Sequence, residues 1–263
     1  MKRPHFRSAA GAVALALLLS RTLPAQEQPD AARHALPADG APGQSAAATH
    51  PDTPALTTTV NPKDGLTYVW LPPGKFMMGC SPGDTLCDSD EVPQREVTIV
   101  KGFWIGQTLV TQAAYKRVIG SNPSFHQGND QLPAERVNWG DALRYCTDVG
   151  MRIPTEREYE YAARGGNPAA RYGNLDAIGW FRENSGGRTH EVATKSPNGF
   201  HLYDMLGNVW EFTSDPYKPE DPVFVAMRGG SWFTSAKSMR VSIRGFDVAN
   251  RGRTFSGFRC AGD

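Results

Sequence analysis

Apolar positions recur along this chain in short stretches, each closed by a capping residue or a glycine, and that rhythm predicts small elements joined by many turns. Thr155-Glu156-Arg157-Glu158 reads as a capping box, in which Thr155 accepts from the amide of Glu158 and Glu158 reaches back, and Gly165 stops the helix after Arg164. This predicts a helix over 156–164. Asn138 ahead of an apolar-periodic stretch ended by Gly150 predicts a second over 140–149, and Thr111 with Gly120 predicts a third over 112–119. Strand signals, β-branched and aromatic residues bounded by turns, fall on 67–71, 96–100 and 103–105. The expected fold class is α+β, with much irregular structure.

Composition narrows the picture. The 263 residues include 27 Gly and 20 Pro, too much punctuation for a helical bundle. Six Trp, eight Tyr and twelve Phe are enough to fill a core. With 28 basic against 27 acidic side chains, binding to nucleic acid through phosphate neutralisation is not expected.

The N-terminus reads as a secretory signal over residues 1–25. Lys2, Arg3 and Arg7 flank the apolar run 9–19, and Leu23-Pro24-Ala25 offers a cut before Gln26. The run is too short for a membrane span, so no transmembrane anchor is expected. No cysteine lies near the cut for a lipid anchor, and Arg3 and Arg7 are not adjacent as a twin-arginine signal requires. Residues 26–60, Ala- and Pro-rich and without an aromatic residue, read as a disordered spacer. One domain follows over 61–263. The expected location is the periplasm or the outside of the cell, where four cysteines become two disulfides by one of three pairings.

An ordered series of blocks carries a family resemblance: WLPPGKFMMGCSPGD, EVPQREVTI, RVNWGDALRYC, MRIPTEREYEYAARGG, SPNGFHLYDMLGNVWEF, MRGGSW and SGFRCAG. Together they resemble the formylglycine-generating enzyme (sulfatase-modifying factor) family. The resemblance implies a single α+β domain related to C-type lectins, with low regular secondary structure. Of the cysteine pairings, Cys80 with Cys87 closes a short polar loop, and Cys146 with Cys260 matches a long-range bridge of that family.

In catalytic members the block after the Gly-Gly-Ser turn carries two cysteines, five residues apart, which bind Cu(I) and take part in oxidising a substrate cysteine with dioxygen. Here those positions are Thr234 and Met239. A hydroxyl is a hard, poor partner for Cu(I), so copper is not expected. His126, His190 and His201, the histidines of the domain, show no ligand spacing either, which argues against the related iron-dependent sulfoxide synthases. Ser231, Trp210 and Arg228, with Thr234 and Met239, match positions that line or support the family's substrate groove.

In the block LYDMLGNVWE the resemblance implies a calcium site made by the Asp204 and Glu211 carboxylates and the carbonyl oxygens of Gly207 and Val209, hard oxygen ligands suited to that ion. The competing reading has Asp204 closing a turn and Glu211 pairing with an arginine. Asn184 is a weak counterpart of a second calcium site and is not assigned. The acidic residues Asp84, Asp88, Asp90 and Glu91 lack EF-hand spacing and read as a solvated loop. Arg240, Arg244, Arg251, Arg253 and Arg259 are scattered, and many are expected to pair with acids, Arg259 structurally.

The resemblance therefore leaves three functions, in order: an exported recognition or accessory domain for a peptide, protein or small-molecule ligand; an enzyme of another kind on the same scaffold, since periplasmic members without the cysteine pair are associated with siderophore maturation; and last a true formylglycine-generating oxidase. Whether the chain is an enzyme stays open at this point.

Overall fold

The computed structural model describes residues 56–263; the expected signal and most of the expected spacer lie outside the described residues. The end of the spacer does not. Thr58–Val60 forms strand β1, antiparallel to β2 (Thr67–Leu71), so ladder bonds to β2 draw these residues into the domain in spite of their polar composition. β2 pairs with β5 (Phe103–Gly106), and β5 with the short β10 (Ala261–Gly262), giving a four-stranded antiparallel sheet that joins the two ends of the domain.

The strands β3 (Gly74–Met78) and β4 (Arg95–Ile99) form a separate two-stranded ribbon. A third sheet has the order β8 (Arg244–Val248), β7 (Asp221–Arg228), β6 (Trp210–Lys218), β9 (Ser256–Gly257), with β9 parallel to β6. The register of β6 and β7 slips twice around Pro216, where proline removes a ladder donor.

The helices α1 (Gln112–Ile119), α2 (Trp139–Asp148) and α3 (Glu156–Arg164) begin on the caps the sequence announces. Thr111, Asn138 and Thr155 each accept an amide at the third helical position, and Gly120 and Gly165 close α1 and α3 in the left-handed region. α2 starts one residue early because Asp141 returns a bond to the Asn138 amide. A single-turn helix, α4 (Leu175–Ile178), follows.

Residues 179–209 then run without a helix or strand. Side chains replace the ladder: buried Asn198 donates to the carbonyls of Ala162 and Ala163 at the end of α3 and accepts from the amides of Phe200 and Leu202. One core cluster unites Val69, Leu71 and Ile105 of the first sheet with Tyr159 of α3 and Met205 and Leu206 of this segment. A second is aromatic, with Tyr115 stacked on Tyr145 at 5.6 Å and both edge-on to Phe258. Cys146 of α2 bridges Cys260 beside that cluster, and Cys80 bridges Cys87 in the loop after β3. Both expected pairings are present.

Candidate functional site

The chain leaves β7 through two glycines in the left-handed region, Gly229 (φ 89°) and Gly230 (φ 76°). At Gly230 a side chain has no room, since a Cβ there would lie 2.6 Å from the Met239 sulfur and 3.5 Å from the Thr234 methyl carbon. Thr234 and Met239 thus converge on Gly230, next to Ser231 in the chain. Their chemistry, however, is turned inward. The Ser231 amide donates to Thr234 Oγ1 at 3.0 Å, the two hydroxyls lie 3.3 Å apart, and the Phe233 amide donates to Ser231 Oγ. Ser231 is buried, and Met239 is a fully buried member of the first core cluster.

The other two groove candidates, Arg228 and Trp210, make their contacts elsewhere. Arg228 enters an ion-pair network with Glu160 and Glu156 and donates to the carbonyls of Ser242 and Ile243; a fully buried guanidinium needs that neutralisation. Trp210 stands on the sheet over Gly245, whose missing side chain makes room for the indole, and packs on the aromatic cluster.

The calcium set meets a difficulty at Glu211. Its carboxylate is buried and receives both Arg259 Nε at 2.7 Å and Nη2 at 2.9 Å, together with the Tyr159 hydroxyl at 2.9 Å. Arg259 already supplies the neutralising charge, so one ion shared by Asp204 and Glu211, with Gly207 and Val209, does not fit this arrangement. Asp204 keeps one buried oxygen, Oδ1, without a partner, while Oδ2 accepts from the Ala193 amide. Burial pushes its carboxyl up to about 6. Asn184 closes a local turn through the Phe181 amide and the Gly179 carbonyl.

The acidic loop is not simply solvated. Arg240, almost fully buried, gathers Glu91 and Asp84 around it, and Arg244 pairs with Asp90; of the four acids Asp88 has the most exposed side chain. Arg253 pairs with Asp247 as the scattered arginines were expected to do. Cys80, Asp84 and Cys87 bring ligand atoms within 4.8 Å of one another, but the bridged sulfurs are not thiolates.

Beside the Ser231 turn lies a feature absent from the sequence expectations. Trp232 meets the edge of His126 at 5.3 Å, Phe125 and Phe233 extend the row, and Arg182 caps Phe233 at 5.0 Å. Behind His126 sits Glu135, fully buried, whose Oε1 accepts the amides of Phe125 and His126 at 2.6 and 2.7 Å. Its Oε2 and His126 Nδ1 are buried without partners, and Nδ1 is 3.5 Å from Oε1. Burial pushes the Glu135 carboxyl up to about 7, and burial followed by the nearby Arg188 pushes the His126 imidazole down. An acid inside the apolar stretch Leu132 to Val137 was the available signal for it.

Comparison with known proteins agrees with this architecture. The family model for the sulfatase-modifying factor enzyme 1-like domain matches residues 55–263. The chain belongs to this family. Mouse formylglycine-generating enzyme is 28% identical over 312 aligned positions, covering 85% of this chain and 83% of the mouse protein. A mouse protein named inactive C-alpha-formylglycine-generating enzyme 2 is 34% identical, covering 50% of this chain; the chain spans about half the length of that relative, 49%. Among solved structures, PvdO from Pseudomonas aeruginosa superposes with a TM-score of 0.72 at 25% identity, covering 79% of this chain and 98% of that one. Treponema denticola variable protein 1 gives 0.69 at 25% identity, with 80% and 99% covered. The fold is therefore the formylglycine-generating-enzyme-like α+β fold. Among the described residues, no helix is long and apolar enough to cross a membrane.

Proposed function

We propose that this family member is exported and serves as a recognition or accessory domain, without the copper-dependent oxidation of cysteine to formylglycine. One observation carries the reading: the two positions that hold thiolates in catalytic relatives are a threonine closed into its own turn and a fully buried methionine. Cu(I) needs two soft sulfurs held together, and no second sulfur is available here, because the four cysteines are all bridged. The two disulfides support export to an oxidising compartment. The likeness to a relative named as inactive points the same way.

The ligand of such a domain is a peptide, protein or small molecule meeting the turn at Ser231 and the aromatic row beside it. The test is direct. Mature protein should compete for Cu(I) no better than a Met239→Ala variant and should leave the cysteine of a sulfatase-type peptide unmodified. Aldehyde formation, abolished by Ser231→Ala, would overturn the proposal.

The second reading, an enzyme of another kind on the same scaffold, is favoured by one observation, the buried Glu135 beside His126 at the aromatic row. Buried titratable pairs of this sort mark sites of proton transfer as well as of structure. Turnover of any compound in a screen of periplasmic metabolites, lost in Glu135→Gln with the fold intact, would move the conclusion to this reading.

A further inference from the structure

Of the three largely exposed phenylalanines among the described residues, two stand at the ends of one aromatic row: Phe125, 64% exposed, and Phe233, 56% exposed. His126 and Trp232 lie between them, half-buried, and each ring meets the next edge-on, with centroids 5.1, 5.3 and 5.6 Å apart. Such a row is longer than any single side chain. Extended polypeptide, advancing about 3.3 Å per residue, is the ligand that can follow it ring by ring.

The row is also held in place. The amides of Phe125 and His126 rest on Glu135, the Trp232 amide donates to the Asn208 carbonyl at 2.9 Å, and its indole donates to the Thr254 carbonyl at 3.0 Å. Ser185 Oγ and Arg182 Nε donate to the carbonyls of Trp232 and Phe233 at 2.8 and 2.9 Å. Exposed rings add little burial to the fold, whereas rings fixed in advance lose little freedom when a ligand covers them. The row carries positive charge as well. Arg182, exposed, has its guanidinium 5.0 Å from the Phe233 centroid, and neither it nor exposed Arg188 has an ion-pair partner among the described residues. Arg188 stands in the loop 185–190, which Ser185 ties to Trp232, and its charge reaches the His126 imidazole. The neighbouring acids are held elsewhere: Glu183 accepts from the Ala236 amide, Glu191 holds Asn129, and Glu135 is fully buried. Two open guanidiniums are too few to hold a nucleic acid by its phosphates, but they suit carboxylates.

We propose that the row binds an acidic stretch of extended polypeptide, with one of its apolar side chains over His126 and Trp232 between the two phenylalanines, and its carboxylates meeting Arg182 and Arg188. This rests on the recognition reading above and names the chemistry of the ligand met beside the Ser231 turn.

The experiment follows the fluorescence anisotropy of a labelled, blocked heptapeptide, phenylalanine at its centre and three acidic residues on either side, titrated with the mature protein. The same peptide with lysines for the acids, and vesicles of anionic phospholipid, are the controls. Saturable binding of the acidic peptide, roughly tenfold tighter than the lysine peptide and weakened by salt, with no binding to the vesicles, is the expected result. Phe233→Ala removes an exposed ring and should weaken the binding about fivefold. Arg188→Glu, at a side chain that makes no bond among the described residues, should weaken it by about as much, and neither variant should lose melting temperature. Absence of saturable binding, equal binding of the lysine peptide, binding to the vesicles in place of the peptide, or an unaltered affinity in both variants would overturn the proposal. Binding of the lysine peptide that is lost in Phe233→Ala would overturn the acidic ligand and leave the recognition reading standing, which the copper and aldehyde assays decide separately.

Discussion

Glu135 is a carboxylate whose chemistry is strongly displaced by its surroundings. Its carboxyl titrates at about 7 in the folded protein against an ordinary 4.5, because burial penalises the charged form more than the two amides of Phe125 and His126 and the charge of Arg136 favour it. Between those values the folded chain holds a proton that the unfolded chain has released, so this group's contribution to stability falls as pH rises from about 4.5 through 7. The facing His126 acts in the opposite sense, since its depressed value costs stability as pH falls below its ordinary range. Glu135→Gln keeps the acceptor for both amides and removes the titration. It should match the parent near pH 5 and exceed it by up to about 3 kcal/mol at pH 8, measured as denaturant midpoints across pH. Asp204 tests the calcium expectation at the same scale. With Arg259 on Glu211, excess chelator should leave the melting temperature unchanged, and Asp204→Asn, which keeps an acceptor for Ala193, should be at least as stable as the parent. A fall in melting temperature with chelator, abolished by Asp204→Asn, would instead show that an ion displaces the arginine.

The helix α3 shows how one element serves both the core and a buried ion-pair network. Thr155 and Glu158 cap its start, Glu158 also holds Arg152 at 2.7 and 2.8 Å, and Tyr159, Glu160 and Arg164 on its buried faces reach the carbonyl of Met205, Arg228 and the carbonyl of Gly79. Thr155→Ala removes the acceptor for the Glu158 amide and should cost about 1 kcal/mol, read by thermal unfolding, with disulfides and near-UV spectrum retained. Elements of this kind were legible in the sequence because their signals are local: α1 and α3 fall on the expected residues, and β2 does too. The strands β6 and β7 were not, because Pro216 and the charged ends of the hairpin break the alternation that marks a strand. β9 and β10 are two residues each, too short for any periodicity, and exist only through their partners.

At the scale of the molecule, the bridge between Cys146 and Cys260 ties α2 to the residue before the last strand across a separation of 114 residues. Replacing both with alanine should destabilise the protein by about 2–5 kcal/mol, chiefly by releasing the unfolded chain, and should leave β10 less protected in hydrogen exchange than β2. Equal stability of the double variant in denaturant would show that the aromatic cluster alone holds this end. What the sequence determined by itself were the capped helices, the ordered family blocks and the loss of the sulfur pair at Thr234 and Met239, since each rests on residue identity at short spacing. Only the tertiary structure decided that Arg259 answers Glu211, that Arg228 answers Glu160, and that Glu135 is buried behind His126. Those are contacts between residues 9 to 68 positions apart, and a charge's partner, like its burial, depends on which distant segments packing brings beside it.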